Sequence, residues 1–127
     1  MGMGVKYLPM VLNDIKSNVP VTAKSFPFRR GHFGKRYGHS SSYEISSENP
    51  QKTALSFFSK LTSGGSVTKI TTGTGWGYRA HMGDNSIVML RMHTSVVGSP
   101  AIDINVESSF TKGRTIVRSH KIHFIKS

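Results

Sequence analysis

The stretch Asn49-Pro50-Gln51-Lys52-Thr53-Ala54-Leu55-Ser56-Phe57-Phe58-Ser59-Lys60-Leu61-Thr62-Ser63-Gly64-Gly65 decides the fold. Asn49 is a capping residue, and Pro50 suits a first helical position because its missing N–H has no partner there anyway. Ala54, Phe57, Phe58 and Leu61 recur at i, i+3, i+4 and i+7, which is one apolar helical face. Gly64-Gly65 ends the run. The spacing predicts a single amphipathic helix over about 50–63.

Downstream of this helix the periodicity changes from helical to alternating. Ser66–Thr72, Trp76–Met82, Ser86–Ser95, Ala101–Ser108 and Arg114–Ile125 read as strands. Turn residues separate them at Gly73-Thr74-Gly75, Gly83-Asp84-Asn85, Gly98-Ser99-Pro100 and Lys112-Gly113. Short connections imply antiparallel neighbours. The apolar helix face must be buried against one side of the sheet. The expected fold class is α+β: one amphipathic helix on a twisted antiparallel sheet of four to five strands.

Upstream, the texture is irregular. Residues 1–47 are read as a basic N-terminal segment and residues 48–127 as the helix-plus-sheet domain. A short helix is expected around Pro9–Ser17, with Leu8, Val11, Leu12 and Ile15 on one side. Lys6 and Pro9 interrupt the first apolar stretch and no small-residue cleavage site follows, so no signal peptide is expected. The run from Phe28 to His39 interleaves Arg29, Arg30, Lys35 and Arg36 with aromatics and glycines. Such a run suits a phosphate backbone with stacked bases, or it is a basic arm.

The chain has 127 residues, with 17 Lys and Arg against six Asp and Glu, a net charge of +11. Cysteine is absent, which excludes a disulfide scaffold. Six acids leave little room for a two-carboxylate glycosidase, or for a nuclease that holds its cation on several carboxylates. The positive field favours polyanions, with nucleic acid the leading partner. A membrane-surface role would call for a long basic amphipathic helix, and the predicted helix carries only Lys52 and Lys60. No membrane partner is therefore expected.

Strand parity locates the candidate chemistry. Trp76, Tyr78, Ala80, Val88, Leu90, Ile102, Ile104, Ile122 and Phe124 alternate onto one face, under the helix. The other face collects Lys69, Arg79, His81, Arg91, His93, Asp103, Asn105, Lys121 and His123. The alternative is an ordinary wet face with chance histidines. Histidine serves as an acid or base near neutral pH, and Arg or Lys stabilises a pentacovalent phosphate. These parts cleave RNA without metal, using its 2′-OH as internal nucleophile. His93 and Arg91 rank first, as acid–base group and phosphate holder. His81 with Arg79 comes next, then His123 with Lys121. Asp103 would orient a histidine and Asn105 would meet a base or the 2′-OH. Arg29, Arg30, Lys35 and Arg36, with Lys69, would supply backbone affinity. No cofactor and no metal site are expected: zinc favours closely spaced Cys and His, and His120 and His123 fall on opposite strand faces. The rival class is a non-catalytic RNA- or DNA-binding module, whose affinity would be spread over many cations.

The order of capped helix, Gly-Gly and twisted antiparallel strands resembles the barnase–EndoU–colicin–RelE group of small ribonucleases. The run Ala54–Leu61 to Gly64-Gly65, with Gly98–Asn105 and Lys121–Phe124, is similar to C-terminal toxin domains of bacterial polymorphic and contact-dependent growth inhibition systems. The resemblance covers about residues 48–127. It implies an antibacterial endoribonuclease, often acting on tRNA, that is delivered from the producing bacterium as part of a larger effector and works in the target-cell cytoplasm. It also implies a cognate immunity protein and, for some members, a host translation factor such as EF-Tu. Group members that use a Glu base have no counterpart in this reading, because Glu107 is the only Glu in the predicted sheet.

Overall fold

Helix α2 (Pro50–Leu61) begins as its cap dictates: Lys52 N–H donates to Asn49 Oδ1 at 3.2 Å, and Pro50 takes the first turn. Ala54, Phe57, Phe58 and Leu61 are all buried. They pack on the sheet, against β4 (Ser42–Ser47), β7 (Ile87–Arg91), β8 (Ala101–Asn105) and β9 (Ser119–Lys126). This is a computed structural model, and it describes residues 11–36, 38, 41–73, 75–92, 99–106 and 116–127.

The sheet has seven strands in the order β3-β4-β9-β8-β7-β6-β5, where β3 is Lys35–Arg36, β5 Ser66–Thr72 and β6 Gly75–His81. From β5 to β9 it is the expected antiparallel meander. Two further strands come from the segment before residue 48. β4 lies parallel to β9, with Tyr43 opposite Ile122 and Ile45 opposite Phe124, and β3 pairs antiparallel outside it. The sheet is therefore mixed rather than antiparallel throughout, and larger than the four to five strands expected. In β4 only Tyr43 and Ile45 alternate with polar residues, so its sequence carries little strand signal. Observed β7 and β8 are shorter than Ser86–Ser95 and Ala101–Ser108, and residues 93–95 and 107–108 lie outside the described residues. β9 spans Ser119–Lys126, and of the expected Arg114–Ile125 residues 114–115 lie outside the described residues while 116–118 are not in a strand.

Helix α1 spans Ile15–Thr22, displaced from the expected Pro9–Ser17, of which residues 9 and 10 lie outside the described residues. A distant carboxylate sets its start: Ile15 N–H donates to the buried Asp84 Oδ2 at 3.1 Å. Its buried stripe is Ile15, Asn18, Val19 and Thr22, half of it polar, while Val11 is 85% exposed. Asn18 Nδ2 donates to Leu61 O at 2.9 Å and Ser63 O at 2.8 Å, which fastens α1 to the end of α2.

β1 (Phe28–Arg29) and β2 (His32–Phe33) form a separate hairpin. Both residues of its two-residue turn have positive φ, 51° at Arg30 and 79° at Gly31, as a type I′ turn requires. The hairpin is pinned. Phe33 is fully buried and packs edge-on against Phe57, Gly34 N–H reaches Pro27 O, and Val117 N–H reaches Gly31 O. Ile15, Val19, Phe33 and Ile45 share one core with Phe57, Leu90, Ile104, Ile122 and Phe124, so residues on both sides of the 47/48 boundary build it.

Candidate functional site

The parity reading of β6 to β9 holds. Ala80, Val88, Leu90, Ile102, Ile104, Ile122 and Phe124 are buried beneath α2, and Arg79, His81, Arg91, Asp103, Asn105, Lys121 and His123 lie on the open face. Lys69 is the exception. It stands opposite Tyr78, on the helix side, with Nζ 5.1 Å from the centroid of the Trp76 ring. In β5 the apolar residues Val67 and Ile70 point to opposite faces, so the strand offers no parity signal.

The ladder sorts the open face into two patches. Lys121 is opposite Asp103, Asp103 opposite Met89, and Met89 opposite Arg79. His81 is opposite Ile87, which is opposite Asn105. Met89 and Ile87 thus separate Arg79 and His81 from the rest, and β6 is three strands from β9, about 14 Å. His81 Nε2 lies 3.4 Å from Asn85 Oδ1, both exposed. His93 lies outside the described residues.

The other patch is concentrated. Arg91 Nη2 donates to Asp103 Oδ2 at 2.9 Å, with both side chains about 30% exposed. Arg91 Nε is buried without a hydrogen-bond partner among the described residues. His123 stands opposite Ala101 on β8 and Glu44 on β4, and Lys121 follows on its own strand and face. Burial lowers the His123 pKa from 6.5, the Lys121 and Arg91 charges lower it further, and Asp103 and Glu44 oppose them. The ring is therefore held toward its neutral, proton-accepting form. Asp103, Asn105 and Lys121 also line a cavity of about 230 Å³. Among the described residues no three His, Asp or Glu side chains are placed to hold a metal ion.

Two groups here escaped the sequence reading. Glu44 is one, because β4 was not recognised; Glu107, the Glu assigned to the sheet, lies outside the described residues. His120 is the other. It is buried on the helix face, 3% exposed, and its Nε2 accepts from Phe33 N–H at 2.8 Å. Burial, then the charge of His32, pulls its pKa down to about 4, against an opposing contribution from the Phe33 carbonyl oxygen, which lies 3.0 Å from the same Nε2 and would accept from the protonated ring. His32 stacks on Tyr43 at 4.5 Å and 14°, and His120 meets both rings edge-on. Arg29, Arg30, Lys35 and Arg36 sit around this stack on an ordered hairpin and edge strand, not on a trailing arm.

Compared with known proteins, the chain matches no protein-family model, no curated protein and no solved structure.

Proposed function

We propose that this chain is a metal-independent endoribonuclease of the barnase–EndoU–colicin–RelE kind, acting as the toxin domain of an antibacterial effector. The observation that carries the reading is His123, kept toward neutral between Arg91 and Lys121 on an open sheet face. In this mechanism His123 Nε2 or Nδ1 takes the 2′-OH proton as that oxygen attacks the adjacent phosphorus. Arg91 and Lys121 stabilise the added charge on the phosphoryl oxygens. The P–O5′ bond breaks, and the 5′-oxygen leaves with a proton from the Lys121 ammonium, two residues along the same face. Asp103 holds Arg91 in place, and Glu44 stabilises the imidazolium that forms. tRNA as substrate, a neutralising immunity protein and a translation-factor activator belong to the same proposal.

The test is incubation of purified protein with total bacterial RNA in EDTA, beside His123→Ala and His93→Ala. The expected result is discrete fragments from the wild type and a loss of about 10²–10⁴-fold in rate for His123→Ala. Undiminished cleavage by His123→Ala overturns the assignment. Tight binding with intact RNA, in buffer and in cell extract alike, would return the chain to the non-catalytic binding reading.

A further inference from the structure

The hairpin and the sheet edge enclose a cavity of about 730 Å³, lined among others by Arg29, Arg30, Lys35, Arg36, His32 and Tyr43. This is within the range of small-molecule sites. Its lining carries four cations and, among the described residues, no carboxylate. It also presents a flat aromatic plate, the His32–Tyr43 stack, held from the side by the buried His120 ring. Cations alone describe a generic polyanion surface. Cations around a rigid ring stack describe a place for a phosphate joined to a planar base. The plate is pre-ordered, since Phe33 is anchored in the core next to His32 and the type I′ turn fixes Arg30. A ligand therefore meets little ordering cost on entry.

We infer that this cavity binds one unpaired nucleotide of an RNA strand, its base on the His32–Tyr43 plate and its phosphates on Arg29 and Lys35. An unpaired base is required because only a splayed base offers its ring face to an aromatic side chain. The site wraps the β3 edge of the sheet: Tyr43, opposite Ile122, and Arg36, opposite Tyr43, stand on the helix side, while Lys35, opposite Glu44, stands on the open side. Lys35, Glu44 and His123 lie along one row of the ladder, so Lys35 is two strands, roughly 10 Å, from His123. A strand whose base sits on the plate would turn round the β3 edge at Lys35 and then cross β4 on the open side to the His123 patch. The inference rests on the ribonuclease reading only for the identity of the polymer, and the cavity would fix which nucleotide sits beside the cleaved bond.

The probe is a 2′-O-methyl hexauridylate, which binds and cannot be cut by 2′-OH attack. Affinity is measured by fluorescence titration across a salt series. His32→Ala is expected to weaken binding about tenfold, the scale of one lost base stack. Arg29→Ala with Lys35→Ala, two exposed positions that leave the core untouched, is expected to reduce the salt slope by about 1.4, at about 0.7 for each phosphate contact. An abasic ribose-phosphate oligomer of the same length should bind at least tenfold more weakly than the base-bearing one. Equal affinity of the two oligomers overturns the inference, as does unchanged binding in both variants with circular dichroism intact. Cleavage of unmodified RNA is scored in parallel with His123→Ala. Binding that depends on His32 without any cleavage sinks the ribonuclease reading and leaves the cavity standing. Cleavage that depends on His123, with binding indifferent to His32, Arg29 and Lys35, does the reverse.

Discussion

Replacing His120 by Gln should reverse the order of stability between wild type and variant as the solution is acidified. In the folded chain the imidazole titrates at about 4, against 6.5 for an unperturbed histidine. Between these values the unfolded chain binds the extra proton and the folded chain does not. Stability from the neutral ring is therefore fully present above about 6.5 and is lost as pH falls through 4. The difference corresponds to about 3 kcal/mol, a large part of the 5–15 kcal/mol that holds a typical domain together. Gln does not titrate, and its amide oxygen can still accept from Phe33 N–H. It gives up the ring contacts to His32 and Tyr43, at a cost of about 1–2 kcal/mol near neutral pH. The variant should be less stable than wild type at about pH 7 and more stable at about pH 4. Urea unfolding of both proteins at several pH values reads this directly, and carboxylate titration, common to both, cancels in the difference. A gap that stays constant from about pH 7 to about pH 4 would refute the reasoning. Hydrogen exchange gives a second view: the amides of Phe33 and its hairpin neighbours should lose protection first on acidification, because the protonated ring no longer accepts from Phe33 N–H.

Three other outcomes follow from the geometry. Gly77→Ala should destabilise by about 2–3 kcal/mol in urea unfolding, because the added Cβ would stand 1.8 Å from the Leu90 carbonyl oxygen; a loss under about 1 kcal/mol would mean that β6 and β7 separate easily. Asn49→Ala should cost about 1 kcal/mol through the lost cap on Lys52 N–H, and Asn49→Asp should be close to neutral. Cleavage should fall on the acid side through the lowered pKa of His123, so the acidic limb of its pH–rate profile should lie below 6.5; a limb centred above that value contradicts His123 as the base.

The sequence-to-structure path was clearest where one apolar period ran uninterrupted. α2 was legible from its cap, its i, i+3, i+4, i+7 face and its closing glycines, and β8 from Ile102 and Ile104 against Asp103 and Asn105. From these the open face of Arg91, Asp103, Lys121 and His123 could be placed without coordinates. The failures have physical causes. β4 pairs in parallel with a strand more than seventy residues away, and no local pattern specifies that partner. With β4 unseen, Glu44 was missed as a neighbour of His123. α1 hides half of its buried stripe in Asn18 and Thr22, whose polarity is satisfied only by Leu61 O, Ser63 O and the backbone of Asn18 itself. Lys69 was assigned to the wrong face because β5 alternates in both senses. His120 was recognised as facing away from His123, but nothing in its neighbours Ser119 and Lys121 announced a buried acceptor for Phe33.

The position of β9 has a consequence for synthesis. It is the third strand of the sheet, between β4, made early, and β8. Until residues up to 126 have left the ribosome, β4 has no partner on that side, and Phe57 and Ile45 lack Ile122 and Phe124 to pack against. Contacts of such long sequence separation form late. Translation must therefore run to the last strand before the two parts of the sheet can join. In the same step His123 and Lys121, carried on that strand, are brought beside Arg91. A chain cut before Ser119 would lack both the closing strand and these two groups, so assembly of the sheet and assembly of the open-face cluster are one event.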